Sequence, residues 1–70
     1  MAYAIAQAVF ERRNELGMSQ EELSAKAGTK QPRISVVESA SKLPSLELLT
    51  RIASALGMRL TVNFEQLPGE

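Results

Sequence analysis

The 70-residue sequence contains no cysteine and no histidine. Without cysteine there are no disulfides and no thiol chemistry, and without either residue there is no zinc site of the Cys/His kind. No serine can be activated by a histidine, so a Ser-His triad is excluded. A chain this short buries only about 60% of the surface its unfolded form exposes. Small domains of this kind gain stability from disulfides, metals or association. Here association is the remaining route. Long apolar runs are also missing. The first ten residues are uncharged and fairly apolar, but no basic residue precedes them and the run is too short to span a membrane. A cytosolic protein with no targeting segment and no membrane partner is the expectation.

An excess of either charge is absent as well. Eight Lys and Arg balance eight Asp and Glu. A net charge of zero argues against a nucleic-acid binder, for which a basic domain is expected. The balance is uneven, however. Residues 1–22 hold Arg12 and Arg13 against four glutamates, and residues 47–70 hold two arginines against three glutamates. Residues 23–46 hold Lys26, Lys30, Arg33 and Lys42 against Glu38 alone. The basic surplus lies in the middle third.

Periodicity and caps predict four helices. Residues 2–16 are rich in helix formers, with Ile5, Val9 and Leu16 on one stripe, and Gly17 closes the segment. Ser19-Gln20-Glu21-Glu22 reads as a capping box that starts a second helix, and Gly28 stops it. A third helix spans about residues 30–39. Pro32 fits its first turn, and Ile34 and Val37 form its inward side. Ser45 caps a fourth, with Leu46, Leu49, Ile52, Ala53 and Leu56 on one stripe before Gly57. Beyond Gly57 the period falls to two. Met58, Leu60, Val62 and Phe64 alternate with polar residues, a strand pattern with one apolar side.

Residues 19–38 carry the function. Two short helices around a glycine-bearing turn make a helix-turn-helix, in which closely crossing helices need small or apolar residues such as Ser24, Ala27 and Gly28. The spacing alone also suits any helical hairpin in a bundle. Gly17-Met18-Ser19-Gln20-Glu21-Glu22-Leu23, Ala27-Gly28, Ile34-Ser35, Glu38 and Pro44-Ser45-Leu46 together resemble the Cro/cI-repressor (Xre) helix-turn-helix family. The resemblance spans roughly residues 5–57. It implies an all-α fold, a small bundle of four to five helices, whose third helix lies in the major groove of double-stranded DNA. It assigns Gln20 to a phosphate and to bracing the recognition helix. Lys30, Gln31, Pro32, Arg33 and Val36 fall where the family reads bases. Arg33 suits guanine and Gln31 suits adenine. Ser35 and Lys42 suit phosphates, with a local backbone bond an equal reading for Ser35. Arg13 and Glu38 match a family ion pair that ties the recognition helix to the scaffold. Two residues depart from the pattern. Ala40 stands where a glycine with positive φ is frequent, which leaves that turn's shape open. Val36 replaces a residue that is often polar.

The division expected is therefore a DNA-binding domain at 1–57, a dimerisation strand at 58–65 and a tail at 66–70. A lone strand leaves its edges unpaired, and pairing with the same strand of a second subunit through Met58, Leu60, Val62 and Phe64 is the remedy expected. Folding back onto its own helices is the other reading. Residues 56–62 resemble the endings of HipB- and HigA-type antitoxins. The function expected is a sequence-specific repressor, an antitoxin acting as a homodimer on a palindromic operator and holding a cognate toxin protein. A free-standing phage or restriction-control regulator and a protein-interaction adaptor of the same fold are the alternatives. No catalytic residue, cofactor or metal is expected. Glu21 and Glu22 are adjacent but point to different sides of a helix.

Overall fold

In a computed structural model the protein is described over residues 1–69. Glu70, the last residue of the expected tail, lies outside the described residues. Four helices follow in order: α1 Ala2–Glu15, α2 Gln20–Ala27, α3 Gln31–Glu38 and α4 Leu46–Ala55. Their ends obey local chemistry. The Ser19 hydroxyl accepts from the Glu22 amide at 3.0 Å, and the Glu22 carboxylate accepts from the Ser19 amide at 2.9 Å. This reciprocal box satisfies two otherwise orphaned donors. Ser45 caps α4 by accepting from the Leu48 amide at 3.2 Å. Lys30 is the N-cap of α3 without a side-chain bond. Pro32 there lacks only an amide that would have no helical partner.

Helix α2 packs on α3 and α4, and α1 packs on α3. Their shared core is Val9, Leu23, Ala27, Ile34, Val37, Leu48, Ile52 and Leu56, with Ile5 and Met18 at its margin. Leu23 and Ile34 are fully enclosed, and truncating such a residue to alanine costs about 2–5 kcal/mol. Ser24 is the buried polar residue, and its hydroxyl donates to the Glu21 carbonyl at 2.7 Å.

Several expectations are corrected here. Leu46, placed on the inward stripe of α4, is 61% exposed, while Leu48 is buried. A side chain in the first helical position leans towards the N-terminus, past the end of the helix and off the body. Leu16 is exposed as well, because it caps α1 rather than packing within it. Gly28 is exposed with φ of 70°, so it serves the left-handed exit from α2 and not the close crossing of the helices.

The strand expected at 58–65 does not form among the described residues. Alternation supplies only the side-chain pattern. A strand also needs a neighbour for its backbone ladder, and no other extended segment runs beside it. Met58 and Leu60 border the crevice between α1 and α4, whereas Val62 is 59% and Phe64 99% exposed. The segment thus folds back at its root and leaves the body beyond Leu60. Among the described residues there is thus no strand to support the expected pairing of Met58, Leu60, Val62 and Phe64 with a second chain.

Candidate nucleic-acid interface

Helix α3 divides sharply. Ile34 and Val37 are buried in the shared core, on the side of α3 that packs on α1 and α2, while Lys30, Gln31, Pro32, Arg33, Ser35 and Val36 are all exposed. Lys42, in the following loop, is exposed too. Among the described residues, the ion pairs use Arg12, Arg13 and Arg51. Lys30, Arg33 and Lys42 have no carboxylate partner there. Three cations without counter-charges therefore flank one exposed helix surface, although the whole chain is neutral. Glu38, the acid of this segment, is turned away and neutralised internally.

That neutralisation is the anchor of the helix. Arg13 Nε donates to Glu38 Oε2 at 2.7 Å and Arg13 Nη2 to Oε1 at 3.0 Å. The side chains are only 11% and 6% exposed. Arg13 Nη1 donates further to the Met18 carbonyl at 2.8 Å. The hydrogen bonds to Glu38 raise the Arg13 pKa above its ordinary value, against the opposing effect of burial. The guanidinium also sits 5.4 Å over the Phe10 ring, which accounts for a half-exposed aromatic on α1.

Gln20 joins the same cluster. Its amide nitrogen donates to Glu38 Oε1 at 3.0 Å, and its oxygen lies 3.5 Å from Gln31 Nε2. A glutamine amide has two hydrogens, and the bond to Glu38 uses one of them. The start of α2, the start of α3 and the end of α3 are thereby held together by one carboxylate and one amide.

Ala40 has φ of 57°. The turn left open by the sequence adopts the left-handed form despite its Cβ. An L-residue held there carries strain of about 1–2 kcal/mol. Ser39 closes the same turn, its hydroxyl donating to the Val36 carbonyl at 2.9 Å.

Sequence reasoning missed two features. Pro32, Arg33, Val36 and Lys42 share an open groove of about 540 Å³ with Leu43 and Pro44. Leu43 carried no periodic signal because it lies in a loop. Arg12 Nε donates to the Leu56 carbonyl at 3.1 Å, clasping α1 to the end of α4. No sequence signal marks this, since the acceptor is a backbone atom 44 residues away.

The helix-turn-helix family model HTH_3 matches residues 9–63, which includes all of α2, α3 and α4. The chain belongs to the helix-turn-helix family. This helix-turn-helix chain is 34% identical over 59 residues to an uncharacterized HTH-type transcriptional regulator of Haemophilus influenzae, covering 84% of this chain and 60% of the relative. It is 47% identical over 49 residues to another such regulator, from Methanothermobacter thermautotrophicus, covering 70% of this chain and 71% of that one. It thus spans about 60% of the length of the Haemophilus protein. No solved structure matches it at comparable stringency. Among the described residues of this helix-turn-helix chain, no helix is long and apolar enough to cross a membrane, and no acidic cluster is built to hold a metal.

Proposed function

We propose that this protein is a DNA-binding transcriptional repressor that acts as a homodimer on a palindromic operator. The observation that carries this reading is the exposed side of α3, where Lys30, Gln31, Arg33 and Val36 stand opposite the buried Ile34 and Val37. The major groove is about 12 Å wide and admits one helix. Arg33 reads a guanine by paired donors, Gln31 an adenine, and Val36 meets a thymine methyl. Lys30 and Pro32 line the entry of the helix into the groove. Ser35 and Lys42 hold phosphates, and Gln20 offers its second amide hydrogen to another while the first braces Glu38. Two copies related by a two-fold axis set two such helices about 34 Å apart, one turn of DNA.

The resemblance of residues 56–62 to antitoxin endings extends the proposal. The repressor is the antitoxin of a two-gene operon and holds the toxin encoded beside it. The names of the Haemophilus and Methanothermobacter regulators support the transcriptional reading alone.

Fluorescence anisotropy with the DNA upstream of its own gene tests the proposal. Binding is expected to exceed that of random duplex and to weaken steeply with salt, because phosphate contacts release counterions. Equal binding to both duplexes at low salt overturns it. Co-purification from the native host tests the toxin partnership.

A further inference from the structure

The groove beside α3 is more apolar than a surface for DNA requires. Its volume is about 540 Å³, within the range of small-molecule sites, about 300–1,000 Å³. Its floor is Val37 and Leu48, core residues that are 2% and 6% exposed. Pro32, Val36, Leu43 and Pro44 line the rest. Val36 and Leu43 are 42% and 55% exposed, so apolar surface is left uncovered there. Small-ligand sites have this make-up, mostly apolar with a few polar groups that fix orientation.

The polar groups of the lining are Arg33, Lys42 and Ser45. The Ser45 hydroxyl is engaged as the cap of α4. Arg33 and Lys42 have no carboxylate partner among the described residues. Two cations without counter-charge over an apolar floor define an occupant. It needs an anionic head, and a carboxylate matches the planar fork of Arg33. It also needs an apolar body. Phosphates and base edges satisfy the cations but offer the apolar lining only a thymine methyl. An apolar cavity of about 150 Å³ accommodates a benzene molecule, so this groove has room for two fused rings.

We propose that the groove is an effector site for a small organic acid with an apolar body. The carboxylate pairs with Arg33 and Lys42, the body covers Val36, Leu43 and the floor, and DNA is excluded while the acid is bound. This rests on the DNA-binding reading of α3 given above and adds its regulation. Exclusion follows because the two cations that would hold the acid are those assigned to a base and a phosphate.

Naphthoate is the probe. Naphthylmethanol supplies the same body without the charge, and acetate the charge without the body. In methyl-resolved NMR of the full chain, naphthoate is expected to shift the Val36, Leu43 and Leu48 methyl signals saturably. It is expected to bind about tenfold more tightly than either control. Arg33→Gln/Lys42→Gln is expected to lose about tenfold, since each exposed ion pair contributes a factor of up to about five. Leu43→Ser should weaken binding several-fold with both cations in place. All three residues are exposed, so the helical circular dichroism of these variants should be unchanged. In operator anisotropy, naphthoate should release the protein from DNA at the concentrations that saturate the methyl shifts, and acetate at equal ionic strength should not. Equal binding of naphthoate and naphthylmethanol overturns the proposal, as do shifts confined to the α1–α4 crevice. Naphthoate that saturates the groove and leaves the protein on DNA overturns it too. The two readings fail separately. Saturable groove shifts without operator preference remove the repressor and keep the acid site, and operator preference with unmoved methyl signals does the reverse.

Discussion

Arg13 and Glu38 meet through two hydrogen bonds of 2.7 and 3.0 Å across 25 residues of sequence, joining α1 to the last residue of α3. A pair this enclosed gains conformational definition more than net stability, because both charges lose their water. Removing one partner is another matter. Arg13→Met leaves the Glu38 charge buried and is expected to destabilise by about 3–5 kcal/mol. Adding Glu38→Leu restores most of that loss, since apolar replacement of a whole pair is often close to neutral. Urea unfolding of the two single variants and the double variant gives the coupling. Additive losses would show that the bridge is not a unit.

Ala40→Gly is expected to stabilise the protein by about 1 kcal/mol, by releasing the strain of an alanine at φ of 57°. Glycine's greater freedom in the unfolded chain offsets part of the gain. The midpoint of urea unfolding should rise without change in slope. A lower midpoint would mean that the alanine methyl contributes packing that outweighs its strain.

Arg33 and Lys42 should separate reading from holding. Arg33→Ala is expected to cost about 1–3 kcal/mol on the preferred operator and to relax selectivity at one base pair. Lys42→Ala should weaken binding to all duplexes alike and lower the salt slope by about one. Competition titrations over a salt series measure both. Identical behaviour of the two variants would count against base contact by Arg33.

Glu22 gives a pH dependence with a definite sign. The hydrogen bond from the Ser19 backbone, and then the bond with its side chain, hold the Glu22 carboxyl below its ordinary pKa. A lowered folded-state pKa contributes stability above the unfolded value, and that contribution is lost as pH falls through the folded one. Glu22→Gln keeps an acceptor for Ser19 but not the charge. The difference in Tm between the two proteins is expected to be widest near neutrality and to close below about pH 4. A difference that stays constant from pH 3 to 7 would show that charge plays no part in the cap.

The helix boundaries were legible because their signals are local. Ser19 with Glu22, Ser45, Gly17, Gly28 and Gly57 place the ends to within a residue or two. The exposed set Lys30, Gln31, Arg33 and Val36 was legible from the period of α3. The sorting of Leu46 from Leu48 was not, because the two sit at the rim of a stripe and only the body beneath decides which is covered. Residues 58–65 misled for a different reason. Period two describes how side chains alternate and contains no information on what lies alongside. The clasp from Arg12 to the Leu56 carbonyl was invisible, since every residue has a carbonyl.

Arg12 and Arg13 are adjacent on α1 yet hold two different elements. One holds the carbonyl of Leu56, the C-terminal cap of α4, and the other holds Glu38, the last residue of α3. Helix α1 is therefore a tie-rod. The end of α4 and the end of α3 are thus fixed to two neighbouring residues of α1. In the function proposed above, the seating of α3 on DNA then depends on the end of α4 as well as on the core.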